Sequence, residues 1–230
     1  MHMLANPVWH ALTGPQDNVA ERHGPAVRYD PSISPFAALP DEPDREAWRS
    51  LAALVGDGGT TVLFREEMPP LPPGWHDELH VPCFQMVAAD FDVSVDADAE
   101  TVQRLTVDDV ADMLALVEET RPGPFTSRTH ELGTYLGVRE NGRLVAMAGE
   151  RMRPPGYTEI SAVCTAETHR GRGMAGVVMR AVATGIVERG DIPILGVITE
   201  NTPAIRLYEK LGFEVSRPID VATIRAPRTS

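Results

Sequence analysis

Lysine is almost missing from this chain: Lys210 is the only one, and the other twenty basic residues are arginine. Genome composition accounts for that, and no function is drawn from it. Basic residues as a whole are outnumbered, 21 against 33 acidic ones, for a formal net charge of -12. A general nucleic-acid binder needs a basic face to displace counterions, and an anionic membrane surface attracts the same kind of face. Neither class of partner is expected. An acidic protein suits a cationic partner such as an amine, and it equally suits plain solubility. Cysteine is scarce too: Cys83 and Cys164 lie far apart, without metal-ligand spacing or a disulfide framework. No C-x-x-C motif occurs, and no metal is expected. The opening "MHMLANPVWH" has no basic leader, and no segment reaches the roughly 20 apolar residues of a membrane span. These absences together suggest a cytoplasmic, reduced protein.

What is present divides the chain in two. Prolines cluster in "YDPSISPFAALPDEPD" and "MPPLPPGW", which read as turns and extended connections. Between them "REAWRSLAALVG" carries Trp48, Leu51, Leu54 and Val55 at helical spacing and stops at Gly56. "TTVLF" and "CFQMVAADF" read as strands, and the acidic "DFDVSVDADAE" as a connector. Residues 1–95 are accordingly expected to form a smaller N-terminal α/β lobe, and residues 96–230 the main domain.

In the second part the punctuation is clearer. A strand at Val102 to Leu105 precedes Thr106, which caps a helix with Asp109 in a capping-box arrangement. "TYLGVRE", Asn141-Gly142 and "RLVAMAGERM" form a hairpin, since Asn-Gly fits the mirror-image turn that joins twisted strands. "TEISAVCT" is a strand, "MAGVVMRAVATGIVERG" a helix, and "IPILGVITE" a buried-type strand. "NTPAIRLYEKLG" is a helix with Pro203 in its first turn and Gly212 at its end. "FEVSRP" and "VATIR" close the chain as two further strands. The order is β-α-β-β-β-α-β-α-β-β, a mixed sheet flanked by helices.

Positive charge concentrates in "ETHRGRGMAGV", between a strand and a helix. Unpaired amides and the dipole at a helix start favour an anion, glycines let a phosphate approach the backbone, and Arg170 and Arg172 add charge. A tight turn with solvated arginines explains the same residues. No Gly-Lys-Ser/Thr follows, so this is not a P-loop. Gly171, Gly173 and Gly176 lack the acidic residue that a dinucleotide fingerprint places at the end of a second strand. Ser161 and Cys164 have no recognisable histidine base, which leaves nucleophilic catalysis unsupported. The seven histidines are read as scattered, His169 among them as a surface residue.

Arg170 to Ala175 fit R/Q-x-x-G-x-G/A, the coenzyme A pyrophosphate signature of the GNAT superfamily of acyl-CoA N-acyltransferases. "NTPAIRLYEKLGF" resembles the closing motif of that superfamily, and the element order is similar to its fold over roughly residues 100 to 225. The hairpin, "EISAVCT" and the closing motif look most like its FR47-like branch. The resemblance implies a mixed, centrally splayed sheet, with acetyl-CoA as co-substrate and no metal. By position it assigns main-chain contacts with pantetheine to Val163, Cys164 and Thr165. The pyrophosphate falls to Arg170, Gly171, Arg172, Gly173, Met174 and Ala175, and the acyl-CoA arm to Asn201.

The resemblance makes Tyr208 the general acid for the departing thiolate. Asn201 and Tyr208 are two helical turns apart and can face one cleft. An apolar stripe with Ala204, Ile205 and Leu211 would equally place Tyr208 in the core. Glu159 matches the general base of the histone-acetyltransferase branch, and desolvation beside apolar strand residues would suit that role. Glu150, Glu200 and a water relay are rivals. The expected activity is transfer of an acetyl group to the amine of a small molecule or amino acid by direct attack. A protein or peptide acceptor and a non-catalytic acyl-CoA-binding role are the alternatives.

Overall fold

The computed structural model describes residues 2–93 and 102–228. Most of the expected acidic connector, and with it the boundary at 95/96, lies outside the described residues.

The N-terminal part begins with helix α1 (Pro7–Leu12), then strands β1 (Ala20–His23), β2 (Ala26–Tyr29) and β3 (Ala37–Ala38), which form a three-stranded sheet. Helix α2 (Arg45–Val55) starts where Asp44 accepts a 2.8 Å hydrogen bond from the Ala47 N–H and ends at Gly56, φ 86°. Strands β4 (Thr60–Arg65) and β5 (His76–Val87) follow. After the undescribed stretch come β6 (Val102–Leu105), helix α3 (Val110–Thr120), β7 (Tyr135–Glu140), β8 (Arg143–Glu150) and β9 (Tyr157–Thr165). Helix α4 (Met174–Glu188), β10 (Ile192–Ile198), helix α5 (Thr202–Lys210) and β11 (Glu214–Arg225) complete the chain. The Thr106–Asp109 capping box is present, on a short 3-10 turn leading into α3.

Strands from both parts share one eight-stranded sheet, ordered β4-β11-β5-β10-β9-β8-β7-β6. Every neighbouring pair is antiparallel except β9 and β10. One expectation needs correction: "FEVSRP" and "VATIR" are a single strand, β11, with a bulge between Val215 and Arg217. Pro218 is tolerated inside it because β4 pairs only from Asp220 onward, which leaves one side of β11 open at the proline.

Helices α3 and α4 pack Met113, Leu116, Val178, Met179, Val182 and Ile186 into one apolar cluster with the β7–β10 strands. Burial of each such side chain contributes about 1.5–3 kcal/mol. A second cluster joins Phe36, Val62 and Phe64 from the N-terminal part to Leu132, Met152 and Ile219. Polar ties run alongside it: Arg128 pairs with Asp30 at 2.9 Å, and the Thr129 hydroxyl donates to the Ile33 carbonyl at 2.6 Å.

The opening for a site lies at the parallel pair. Strands β9 and β10 are in register only at Tyr157/Ile192, Thr158/Pro193 and Glu159/Ile194. Beyond these, residues 160–165 and 195–198 have no partner across the gap and lean on β8 and β5 instead. A bulge marks the parting: the β8–β9 register shifts between Met147 and Gly149, and Ala162 adopts φ 53°.

Candidate active site

The glycine-rich turn after β9 is shaped by backbone conformation. Gly171 and Gly173 have φ 77° and 78°, and a Cβ at either would meet nothing within 4 Å. Glycine is therefore required by the left-handed conformation and not by crowding. Gly173 is the N-cap of α4 and offers no side-chain cap. The amides of residues 171–176 find no acceptor among the described residues, and the first internal bond runs from the Val177 N–H to the Gly173 carbonyl. Six bare amides at the positive end of a 15-residue helix have the chemistry to seat an anion.

The two arginines behave differently. Arg170 lines the cavity over this seat, with only a loose 3.6 Å pairing to Glu167. Arg172 turns away: its Nη2 lies 2.5 Å and its Nη1 3.2 Å from the two carboxylate oxygens of Glu140, and it does not line the cavity. His169, expected as a surface residue, lines the cavity and meets Glu140 Oε2 at 2.9 Å. The hydrogen bonds from Arg172, then those from His169, hold the Glu140 carboxyl below its ordinary range.

That cavity, about 590 Å³, runs from the seat into the gap between β9 and β10. Val163, Cys164 and Thr165 form one wall, Gly196, Val197 and Ile198 the other, and Asn201 and Tyr208 of α5 the end. Asn201 also caps α5 by accepting from the Ala204 N–H at 3.3 Å. The structure thus gathers every residue expected at the cofactor except the Arg172 side chain, together with Tyr208.

A second cavity of about 290 Å³ adjoins the first, sharing Pro122, Val163, Gly196, Ile198 and Tyr208 with it. Its other walls are Phe36, Phe64, Val81 and Cys83 from the N-terminal part, with Arg151 and Ser161. Tyr208 stands at the junction. It is partly buried, its ring lies 6.4 Å from that of Phe213, and its hydroxyl has no partner among the described residues. Burial pushes the phenol up to about 12, so it keeps its proton at neutral pH. Burial likewise pushes the thiols of Cys83 and Cys164 up to about 11, so neither is a ready nucleophile.

Glu159 pairs with a neighbouring arginine. Its side chain is 1% exposed, and its two oxygens accept 2.8 Å hydrogen bonds from Nε and Nη2 of Arg151. The Met152 N–H adds a weaker contact at 3.4 Å. Both oxygens are engaged by Arg151, and Glu159 lines neither cavity. Glu150 pairs with Arg189 at 2.6 Å, and Glu200 lines neither cavity. No carboxylate is among the described residues that line the two cavities. His76 and His80 are four apart, but on strand β5 that spacing separates them by roughly 13 Å. No group of His, Cys, Asp and Glu among the described residues could hold a metal ion. No helix among them is long and apolar enough to cross a membrane.

Several lining residues carry no signal in the sequence. Arg151, Phe36 and Phe64 read as ordinary strand or loop residues, and only their packing assigns them to a wall. Gly196 inside an apolar strand was the one available hint, because glycine there marks a close approach. A Cβ at Gly196 would lie 3.1 Å from the Phe64 ring.

Residues 135–220 match the FR47-like protein family. Over 63 residues the chain is 41% identical to mycothiol acetyltransferase of Corynebacterium aurimucosum, covering 27% of this chain and 21% of that protein. Over 100 residues it is 31% identical to the N-alpha-acetyltransferase RimI of Mycobacterium tuberculosis, covering 40% of this chain and 62% of that one. The chain therefore spans less than two thirds of either relative. A solved GCN5-related N-acetyltransferase from Kribbella flavida shares the fold, with a TM-score of 0.67 at 18% identity, over 100% of this chain and 98% of that one. A solved protein of Novosphingobium aromaticivorans, described as a GNAT-family acetyltransferase, superposes with a TM-score of 0.90 at 40% identity, over 100% of both chains. With that likeness running through both parts of the sheet, the chain belongs to the GNAT acetyltransferase family.

Proposed function

We propose that the protein transfers an acetyl group from acetyl-CoA to the amine of a small molecule or amino acid. The observation that carries this reading is the meeting of the two cavities at Tyr208, where β9 and β10 part. In this reading residues 96–230 hold the acyl donor, and residues 1–95 supply much of the acceptor wall.

The residues present suit the donor. The bare amides of residues 171–176 and Arg170 take the pyrophosphate, while residues 163–165 offer strand edge to pantetheine. The acceptor enters from the second cavity as the free amine. Its nitrogen forms a bond to the thioester carbonyl carbon, and the carbon–sulfur bond breaks. Main-chain N–H groups at the β9 bulge stabilise negative charge on the carbonyl oxygen. Tyr208 gives its proton to the departing sulfur and regains one from solvent. The nitrogen releases its surplus proton to water, since no carboxylate is among the described residues that line either cavity. The products are the amide and free coenzyme A.

A cavity of about 290 Å³ is of a size that suits a small acceptor. The test is thiol release from acetyl-CoA against a panel of small amines, amino acids and peptides. Release that depends on a small amine is expected. Release with peptides alone would replace the acceptor class, and an absence of both release and acetyl-CoA binding would sink the transferase reading.

A further inference from the structure

The second cavity has a mostly apolar lining that includes one charged group, Arg151. Phe36, Val62, Phe64, Val81 and Leu195 surround it, and Arg151 is the only ionisable group with an ordinary cationic or anionic charge among the described residues that line it. The Arg151 side chain is only 10% exposed, and its guanidinium carbon lies 4.6 Å from the Phe36 ring centre. Glu159 occupies Nε and Nη2. Nη1 has no hydrogen-bond partner among the described residues, yet it is not sealed from solvent. A guanidinium carries five N–H donors in a planar fork and can hold one carboxylate on one edge while offering another edge to a second. Burial opposes the charge of Arg151, but attraction and hydrogen bonds from Glu159 outweigh it and keep the guanidinium protonated. Nη1 is thus a donor that solvent reaches and no described protein group takes, so it is free to bind an anionic group of a ligand.

We infer that this cavity takes an α-amino acid with a large apolar side chain, its carboxylate bound by Nη1 of Arg151 and its side chain by Phe36, Phe64 and Val81. Glu159 is then a positioning residue: it fixes the guanidinium plane against Phe36 and touches no reacting atom. The inference rests on the proposed transferase reading for its biological sense, because it names the acceptor of that same site. The apolar rim agrees, with Leu79 58% and Ile198 48% exposed at its edge. The volume, about 290 Å³, is at the small end of ligand pockets, which run from about 300 to 1,000 Å³.

Binding tests this apart from turnover. The full chain is titrated calorimetrically with L-phenylalanine, its amide, and phenethylamine, each with and without saturating coenzyme A. L-Phenylalanine is expected to bind about 10- to 100-fold more tightly than the other two, the worth of a charge-assisted hydrogen bond. Equal binding of all three, or none by the amino acid, overturns the inference. Arg151→Lys keeps the charge but loses the fork, and the preference should shrink. Removing Arg151 alone would leave Glu159 buried and unpaired, which threatens the fold. The double variant Arg151→Met, Glu159→Leu avoids this, and it should bind the amino acid and phenethylamine alike while melting as one cooperative unit. A double variant that keeps the preference also overturns the inference. Coenzyme A that binds while L-phenylalanine does not would leave the transferase reading standing and sink this one. Coenzyme A that fails to bind sinks the transferase reading, and the titrations without it still judge the cavity.

Discussion

On one side of Tyr208 the cavity runs along exposed backbone: amides 171–176, the bulged edge of β9 and the unpaired end of β10, with Arg170 and His169 beside them. On the other side the walls are side chains, mostly apolar, with a single buried guanidinium tied to a buried carboxylate. The first chamber is made from three short stretches of sequence, within residues 120–122, 163–176 and 196–208. The second draws on residues as far apart as Phe36 and Thr223. A group presented by backbone can bind a ligand whose form never changes, and this suits a fixed donor. A chamber made of side chains can be re-lined by substitution, which suits an acceptor that differs among relatives.

Breaking the first chamber should have the largest effect. Gly173→Asp places a carboxylate at the helix start and a side chain at φ 78°, and should weaken acetyl-CoA binding about 100-fold or more. Binding of small amines in the second chamber should persist. Normal acetyl-CoA affinity by calorimetry would refute the anion seat. Tyr208→Phe acts at the junction: turnover should fall about 10²-fold with acetyl-CoA affinity retained, and unchanged turnover would return Tyr208 to a packing role.

The pH profile sharpens the same residue. With the phenol raised from 10.0 to about 12, Tyr208 should not limit turnover on the alkaline side until near pH 12. The folded state holds this proton more tightly than the unfolded chain does. The stabilisation is therefore complete below pH 10.0 and is lost as pH rises toward about 12. Alkaline melting curves of Tyr208→Phe should lack that loss, and identical curves would contradict it. The smallest effect is at Glu140, whose carboxylate holds Arg172 away from the cavity. Glu140→Gln removes a negative charge near the phosphate seat, so acetyl-CoA should bind about 2- to 5-fold tighter at low salt, an advantage that fades as salt rises. Weaker binding would mean that Glu140 orders the turn instead.

Much of the fold was legible. The Asn141-Gly142 hairpin, the helix stops at Gly56 and Gly190, and the buried strand at Ile192 all rest on local signals, and each lies where the pattern placed it. The last strand was misread as two because Pro218 reads as a break, and only its place beside the end of β4 makes it harmless. In the site, the turn at Gly171 and Gly173 and the span from Asn201 to Tyr208 were readable. The pairing of Glu159 was not readable, because a strand position does not reveal which side chain will reach it. Arg151, eight residues earlier, occupies both of its oxygens.

By itself the sequence determined the glycine turn before α4 and the placing of Asn201 and Tyr208 on one helix. Glycines that must take positive φ, a helix start without a side-chain cap and a two-turn helical spacing act over a few residues, and no distant contact is needed to fix them. Only the tertiary structure decided the second chamber, the turning away of Arg172 and the pairing of Glu159. Those depend on which side chains meet when β4 and β5 join β11 and β10 in one sheet, and an apolar residue looks the same in sequence whether it fills a core or lines a cavity.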